Sequence, residues 1–246
     1  MKAAGTTPLG AAGEEQTSRW VREMFDGVAR RYDVLNHLLS FNLDKRWRAR
    51  TVRRLRPILS RPDSRVLDLC CGTGDMLIAM EQEAQRKLYG SDFCHPMLTA
   101  AREKLGARQM RSQVVEGDAL RLAFRDGTFD LVTVAFGVRN FANYAKGFGE
   151  IRRVLKPGGT FAILEFSHPP NPLIRWGNNV YCNKLLPVVG GLISGSRKAY
   201  SYLPSSVSKF PDAGQLSQIL RDSGFQQVTY QHMTFGVVAL HLARKA

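Results

Sequence analysis

The middle of the chain alternates between short apolar segments with the composition of buried strands and longer segments whose apolar residues recur at helical spacing. Strands are predicted at Arg65–Leu69, Leu88–Ser91, Gln113–Glu116, Phe129–Ala135 and Phe161–Phe166. The helices between them are predicted at Asp75–Gln85, Pro96–Leu105 and Tyr144–Leu155. Strands that alternate with helices form a mostly parallel sheet that is covered on both faces. The sequence therefore predicts a doubly wound α/β fold.

The two flanks of this region follow other patterns. Helices are predicted from Ser18 onward and over the arginine-rich segment Asp44–Leu55, which ends before Pro57. Residues 167–211 hold six prolines and an apolar, glycine-rich patch, Leu185–Gly195, and are too long for an ordinary loop. The chain is expected to close with a helix near Asp212–Ser223 and an antiparallel hairpin of two strands, Val228–Met233 and Val237–Ala243.

Composition limits the class of protein. A chain of 246 residues that is 44% hydrophobic and 23% charged can build a core, which excludes global disorder. It has no apolar run of about 18 residues and no signal peptide, and its four cysteines lack the spacing of a disulfide framework. These features predict a cytoplasmic protein. We expect a flexible tail at residues 1–17 and a single domain at 18–246, with a helical N-terminal lid at 18–62 and an inserted cap at 167–211.

The net charge of +14 is concentrated in the flanks. Residues 1–65 carry +7 and residues 165–246 carry +5, whereas residues 66–164 carry only +2. Basic flanks of this kind suit nucleic acid or an anionic membrane, and a surface that only aids solubility would look the same. Because no basic motif interleaved with aromatic residues and no RNA-binding module is recognisable, nucleic acid is not expected as a partner.

The first predicted strand runs into a glycine-containing turn, Cys70-Cys71-Gly72-Thr73-Gly74. Such a turn between a strand and a helix lets backbone amides approach a ligand. A dinucleotide-binding turn needs a third glycine where Leu77 stands. The methyltransferase form, an acidic residue followed by spaced glycines, fits better, with Asp68 as the acidic residue. The turn departs from that form at Cys70, where a first glycine is often found.

Acidic residues also end the next two strands. Asp92 follows the second strand, where a carboxylate can accept hydrogen bonds from both ribose hydroxyls of a nucleoside. Asp118 follows the third strand and can accept the amino group of adenine, while Ala119 offers a backbone N–H. Three acidic strand ends without a lysine or arginine for phosphate suit a cationic nucleoside that carries no phosphate. They predict S-adenosylmethionine as the cosubstrate.

Four further stretches resemble the ubiquinone/menaquinone biosynthesis C-methyltransferases. They are Tyr32-Asp33-Val34-Leu35-Asn36 with Ser40 and Trp47 after it, Phe136–Asn140, Arg153–Ser167 and Gly236–His241. The resemblance covers approximately residues 18–243. It departs from the family at Asp44, where the family usually carries histidine, and this puts in doubt a catalytic role for that position.

The resemblance implies a class I methyltransferase fold, in which a mostly parallel seven-stranded sheet ends in an antiparallel hairpin. It implies methylation of a ring carbon of a prenylated quinol, with demethylmenaquinol as the expected substrate. The alternatives are the benzoquinol step of ubiquinone biosynthesis, a methyltransferase of RNA or another small molecule, and a non-catalytic nucleoside-binding regulator. Together with the glycine turn, matching positions imply a set of cofactor-binding residues: Asp68, Gly72, Thr73, Gly74, Asp92, Asp118, Ala119 and Ala135.

Methylation of a quinol ring carbon needs a group that favours loss of the neighbouring hydroxyl proton. Arg139 and Asn140 follow the fourth strand, and we expect the guanidinium to favour the phenolate and the amide to orient the ring. A structural ion pair is the alternative for Arg139. Tyr32 and Asp33, in the lid, are expected to close the site and relay the proton. The alternative for Tyr32 is a core aromatic residue.

The remaining expectations concern metals, thiols and partners. The five histidines lack metal-ligand spacing, so no metal is expected. Cys70 and Cys71 are expected to pack rather than react. A substrate with an isoprenoid tail resides in the bilayer, so basic flanks beside an apolar cap predict peripheral association with an anionic membrane surface. A homo-oligomer or a biosynthetic complex is left open.

Overall fold

The computed structural model describes residues 5–6, 13–27, 32–185 and 197–246. Most of the predicted tail and of the patch Leu185–Gly195 lies outside the described residues. Within these ranges, seven strands form one sheet. They are β1 (Val66–Leu69), β2 (Tyr89–Asp92), β3 (Gln113–Glu116), β4 (Phe129–Ala135), β5 (Leu155–Phe166), β6 (Phe225–Met233) and β7 (Val238–Lys245).

The strands follow the order β3-β2-β1-β4-β5-β7-β6 across the sheet. Neighbours from β3 to β5 pair in parallel, whereas β7 lies antiparallel between β5 and β6. The order reverses at β1 and β4, and ligands of open α/β sheets bind outside the carboxyl ends of the strands at such a reversal. The predicted doubly wound sheet and its terminal antiparallel hairpin are confirmed.

Helices cover both faces and the carboxyl edge of the sheet. They are α1 (Glu14–Asp26), α2 (Tyr32–Leu39), α3 (Leu43–Leu59), α4 (Asp75–Ala84), α5 (His95–Ala107), α6 (Tyr144–Val154), α7 (Pro172–Val180), α8 (Arg197–Lys209) and α9 (Ala213–Asp222). Short 3₁₀ turns lie at Val138–Asn140 and Thr234–Gly236, and a π-helical turn lies at Tyr181–Leu185. No helix in these described ranges is both long and apolar enough to cross a membrane.

Two helices near the N-terminus differ from the prediction. Helix α1 begins at Glu14 rather than at Ser18. Helix α3 continues through Pro57 to Leu59, although an interior proline removes a backbone hydrogen bond. Leu55 and Leu59 are fully buried, and burying one such side chain contributes about 1.5–3 kcal/mol, which helps to offset that cost.

Strand β5 also begins earlier than predicted, at Leu155 rather than at Phe161. Leu155 pairs with Phe129 of β4, and the register then shifts before the regular ladder resumes. Gly158 and Gly159, which are typical of a turn, lie in this irregular part of β5, and Gly158 adopts a φ of 72°.

Two hydrophobic clusters pack on the sheet. One joins β4 and β5 to α6 and α9 through side chains that include Phe129, Phe148 and Phe161. The other joins β1 to α3, α4 and α5 through side chains that include Leu59 and Leu77. With both faces covered, the carboxyl edge of β1 to β4 is where the fold places the acidic strand ends.

Candidate active site

The turn after β1 is held in left-handed backbone conformations. Cys70, Gly72 and Gly74 have φ values of 55°, 53° and 86°. Glycine adopts such values freely, but for an L-residue the conformation costs about 1–2 kcal/mol. The position where a first glycine was expected therefore has a glycine-like conformation although it carries a cysteine. Gly137 approaches this turn so closely that a Cβ there would lie 2.6 Å from the Cβ of Cys70.

A first cavity of about 700 Å³, open solvent included, lies beyond the carboxyl ends of β1, β2, β3 and β4. This is within the range of small-molecule sites. Five of the residues predicted to bind the cofactor line it: Gly72, Asp92, Asp118, Ala119 and Ala135. The fold therefore brings together residues that are scattered over more than sixty positions of sequence.

Backbone donors hold the carboxylates of this cavity. Asp92 accepts hydrogen bonds from the backbone N–H groups of Gly72 and Cys94, both at 2.9 Å. Burial raises the pKa of Asp92 above its ordinary value. Asp118 is exposed and accepts from the backbone N–H of Leu120 at 2.8 Å. Both side chains are thus fixed at the edge of the sheet before any ligand binds.

Asp68 has a different environment, beneath the glycine turn. Its Oδ1 accepts a hydrogen bond from the Thr133 hydroxyl at 2.6 Å, whereas its buried Oδ2 has no partner among the described residues. Burial raises the pKa of Asp68 to about 7. A buried carboxylate oxygen without a donor is costly unless a ligand satisfies it. A cationic nucleoside such as S-adenosylmethionine would supply that partner, so these residues fit it.

A second cavity of about 720 Å³ lies next to the first. Asp68, Thr73, Arg139 and Phe166 are among its lining residues. The two cavities share a wall, hereafter the shared wall, which consists of Tyr32, Cys70, Gly72, Ala135 and Phe136. The geometry thus provides two adjacent compartments that meet at the turn after β1.

Arg139 is buried at the edge of the second cavity and paired with Glu165 of β5. Its Nη1 lies 3.0 Å from Glu165 Oε1 and also donates to the carbonyl oxygen of Phe136. Its guanidinium lies 5.5 Å from the centre of the Phe166 ring, within cation–π range. Its Nε has no partner within the described residues. The structural ion pair that was the alternative for Arg139 is therefore present, and the Nε–H remains as a donor without a partner among the described residues.

Asn140 lies on the other side of the shared wall. It lines the first cavity, and its Oδ1 accepts a hydrogen bond from the Tyr202 hydroxyl at 3.1 Å. Arg139 and Asn140 are adjacent in sequence, but the structure places them in different cavities.

Tyr32 and Asp33 are neighbours in sequence, but their side chains also lie in different surroundings. Tyr32 lines both cavities, and burial raises its pKa above the ordinary value. The Asp33 carboxylate instead accepts a hydrogen bond from the Thr73 hydroxyl and forms an ion pair with Lys104 at 2.6 Å. Asp33 is not among the described residues that line either cavity.

Two further charged residues near the turn, Lys104 and Arg48, were not predicted as site residues. Lys104, on α5, lies 2.7 Å from Asp75 Oδ1, and Arg48, on α3, lies 3.0 Å from Asp75 Oδ2. Burial alone would raise the pKa of Asp75, but the two cations outweigh it and hold the pKa below its ordinary value. Both cations lie on helices whose sequence gives no sign that they reach the glycine turn.

Asp44, the departure from the family pattern, belongs to the same network. It accepts from Ser40 Oγ at 2.7 Å, lies 2.7 Å from His37 Nδ1, and pairs with Arg48. His37, Asp44 and Asp75 form the one group among the described residues that could hold a metal ion by geometry. Arg48 already donates to both carboxylates and so takes the place that a cation would need. The prediction that the protein uses no metal remains a prediction.

Of the two cysteines of the turn, Cys71 is buried and Cys70 is half-buried. Burial raises the pKa of both Cys70 and Cys71 well above the ordinary value. Reactive cysteines need the opposite shift, because the thiolate is the nucleophile. The pKa shifts therefore agree with the prediction that these side chains pack.

Comparison with known proteins identifies the family. The model of the ubiE/COQ5 methyltransferase family matches residues 12–245. A demethylmenaquinone methyltransferase from Thermus thermophilus is 47% identical over 220 residues, which cover 89% of this chain and 98% of the relative. One from Deinococcus radiodurans is 42% identical over 246 residues and covers all of both chains.

A solved structure of a SAM-dependent methyltransferase from Thermotoga maritima, described as a possible histamine N-methyltransferase, shares the fold. Its TM-score is 0.64 at 17% identity, and the match covers 91% of this chain and 99% of that one. The expected class I methyltransferase fold is thereby confirmed. With the family model matching nearly the whole chain, the protein belongs to the ubiE/COQ5 methyltransferase family.

Proposed function

We propose that the protein transfers a methyl group from S-adenosylmethionine to a ring carbon of demethylmenaquinol, a prenylated naphthoquinol. The observation that carries this proposal is the shared wall between the first and second cavities. Since these residues border both cavities, a methyl donor in one and a ring in the other would come together beside them, in the oriented contact that such a transfer requires. The names of the relatives from Thermus and Deinococcus support the choice of substrate.

The first cavity is assigned to the nucleoside half of the cosubstrate. Asp92 would accept the ribose hydroxyls, Asp118 the adenine amino group, and Ala119 would offer its backbone N–H. Asp68, which lines the second cavity and whose Oδ2 lacks a donor, would accept from the cationic end of the same molecule where that end reaches past the shared wall. When bound, S-adenosylmethionine supplies an electrophilic methyl group on a sulfonium ion. Thr73 lines the second cavity beside Asp68, and Gly74 ends the turn where α4 begins.

The second cavity is assigned to the quinol ring. A ring hydroxyl that faces Arg139 would lose its proton more readily, because the free Nε–H can donate to the developing oxyanion. Glu165 neutralises the net charge of the guanidinium and fixes its position. Arg139 would therefore stabilise the phenolate mainly through a directed hydrogen bond from its Nε–H, and less through net positive charge.

Tyr32 is the candidate for moving the proton. Its raised pKa keeps the hydroxyl neutral, so that it can accept one proton and donate another while it lines both cavities. We assign Asp33 a positioning role, because its carboxylate is bound to Thr73 and Lys104. Asn140 faces the first cavity, so it would orient the cosubstrate side of the reaction.

A labelling experiment tests the activity. Purified protein is incubated with methyl-labelled S-adenosylmethionine and with vesicles that contain reduced demethylmenaquinone, a reduced prenylated benzoquinone, or no quinone with added RNA. We expect label in the naphthoquinol. Label in the benzoquinol alone would move the proposal to the ubiquinone step, and label in RNA alone would overturn it. Heat-inactivated protein is the control.

We also propose that the protein works at an anionic membrane surface, with residues 18–62 as a lid and residues 167–211 as a cap. The flanks carry most of the net charge, and each Lys or Arg near anionic lipid contributes about 1 kcal/mol. Helix α7 buries none of its side chains and leaves Leu173 and Trp176 74% and 65% exposed. Exposed apolar residues on a helix within a basic segment are typical of interfacial helices.

Sedimentation with vesicles tests this surface. We expect binding to vesicles that contain anionic lipid, weaker binding at high salt, and weaker binding again for Trp176→Ser. Replacing Val115, an exposed valine on β3 at the far edge of the sheet, by serine is the matched control. Binding that is indifferent to anionic lipid and to salt would contradict the membrane proposal.

A further inference from the structure

A third cavity of about 920 Å³, open solvent included, lies beside the second. It is bounded by the end of α2, the start of α3, the end of α7, helix α8 and the 3₁₀ turn at Thr234–Gly236. Most of its lining is apolar, and none of the described residues that line it carries a charge. The apolar lining residues are Leu39, Phe41, Leu43, Trp47, Phe166, Pro204, Val207 and Val237.

The third cavity adjoins the second. Both are lined by Asn36, Ser40, Trp47 and Phe166. Trp47 and Phe166 contact each other edge to face, with ring centres 6.4 Å apart. A ligand in the second cavity that carried an apolar substituent would therefore find the third cavity next to it.

Four of the polar side chains that line the third cavity are hydrogen-bonded within the protein. Trp47 Nε1 donates to Thr234 Oγ1 at 2.8 Å, and the Tyr181 hydroxyl donates to the carbonyl oxygen of Leu39 at 2.5 Å. Ser40 Oγ donates to Asp44 Oδ1. These four groups have little hydrogen-bonding capacity left for a ligand, and with the apolar lining they suit a molecule with few polar atoms.

The outer end of the cavity lies among exposed apolar residues. Phe41 lines the cavity and is 70% exposed, and Phe235 is 76% exposed in the turn beside it. That turn packs on the segment before α7, because a Cβ on Gly236 would lie 2.6 Å from Pro170 Cδ. The third cavity thus lies between the second cavity and an apolar part of the surface.

We propose that the third cavity binds the isoprenoid tail of the substrate, with the isoprene units nearest the ring enclosed between Trp47 and Val207. This rests on the proposed function, because the ring must occupy the second cavity. The absence of charge among the described lining residues argues against a phosphate or a nucleic acid as the occupant. Contact with the second cavity and a mostly apolar lining favour a long hydrocarbon.

The first test varies the tail in solution. The wild-type protein is assayed with reduced 1,4-naphthoquinones that carry no, one or two isoprene units, and kcat/KM is compared. We expect kcat/KM to rise about tenfold or more with each of the first two units. For Val207→Trp, which fills the cavity, we expect the ratio of tailed to tail-less kcat/KM to fall at least about tenfold. Val115→Trp on β3 is the matched control, and its ratio should equal that of the wild type.

A wild-type ratio near one, or an unchanged ratio in Val207→Trp, would overturn the proposal. Phe41→Asp provides a second variant in case Val207→Trp does not fold, because Phe41 is mostly exposed and aspartate tolerates its φ of 53°. It places a carboxylate at the outer end of the cavity and should lower the same ratio. Val115→Asp, on β3 and away from the cavity, is its control.

A binding measurement separates this proposal from the proposed function. Geranylgeraniol, which has an isoprenoid chain and no ring, is titrated into the protein while tryptophan fluorescence is followed. We expect saturable binding that Phe41→Asp weakens at least about fivefold and Val115→Asp leaves unchanged. Such binding without methylation of any quinol would support the tail site and contradict the proposed function. Methylation without this binding would overturn the tail site alone.

Discussion

The guanidinium of Arg139 and the carboxylate of Glu165 form an ion pair of 3.0 Å at the edge of the second cavity, and both side chains are buried. Removing one partner of a buried pair leaves the other as an uncompensated charge, which typically costs about 3–5 kcal/mol. A loss of activity in a single variant of this pair would therefore combine an effect on chemistry with an effect on folding.

The first prediction separates the two effects. We expect Arg139→Ala to lower the free energy of unfolding by about 3–5 kcal/mol, and Arg139→Met/Glu165→Leu to recover most of this loss. Methylation should be slower by about a hundredfold or more in both variants, with little change in cosubstrate affinity. Urea denaturation and steady-state assays measure the two quantities. A stable double variant with near-normal turnover would remove Arg139 from the mechanism.

The second prediction concerns Asp68, whose pKa is about 7 in the free protein. Below pH 7 the carboxyl is largely neutral, so a bound cation must displace a proton, and affinity for S-adenosylmethionine should rise as the pH rises from 6 to 8. We expect a gain of about tenfold over this range and none for Asp68→Asn. Calorimetry in two buffers of different ionisation enthalpy would show proton release by the wild type. Equal pH dependence in both proteins would contradict the assignment.

The third prediction uses the left-handed conformation of Cys70. Glycine adopts this φ without strain, whereas a β-branched residue does not. We expect Cys70→Gly to keep its cosubstrate dissociation constant within about threefold of the wild type, and Cys70→Val to raise it about tenfold or more. Equilibrium dialysis with S-adenosylhomocysteine measures both. If the valine variant binds as tightly as the glycine variant, the turn does not shape the first cavity.

The fourth prediction distinguishes a positioning role from a proton relay at Asp33. If the carboxylate only orients Thr73 and Lys104, Asp33→Asn should raise the dissociation constant of S-adenosylmethionine about fivefold and leave kcat and its pH profile unchanged. Lys104→Met should act in the same direction, whereas Lys45→Met, at an exposed position on α3, should not. A large fall in kcat with an altered pH profile would restore the relay role.

The fifth prediction concerns stability in acid. His241 is buried, its Nε2 lies 2.9 Å from the carbonyl oxygen of Ala213, and burial lowers its pKa to about 4. Unfolding frees the imidazole to bind a proton near pH 6.5, so its contribution to stability is lost as the pH falls from about 6.5 to about 4. Between pH 7.5 and pH 5, we expect the stability of the wild type relative to His241→Gln to fall by about 2 kcal/mol. Denaturant titrations at both pH values measure this difference, and a constant difference would contradict it.

Local patterns predicted the sheet and the residues of the first cavity. The bounds of β3 and β4 match the prediction, because both segments contain β-branched apolar residues and are bordered by turn residues. The acidic strand ends lie together because parallel strands end on one edge. The pairing of Arg139 with Glu165, and the contacts of Lys104 with the turn, were not predictable. They join residues on different elements, and no periodicity or spacing reports which long side chains will meet.

The shared wall also bears on the order in which molecules enter and leave. Apart from the residues of this wall, the first and second cavities are lined by different residues of the described chain. With the ring in the second cavity, the methylated quinol could leave while spent S-adenosylhomocysteine stays bound, or the reverse. Such an arrangement allows the two products to leave in either order. S-adenosylhomocysteine would then inhibit competitively with respect to the methyl donor but not with respect to the quinol.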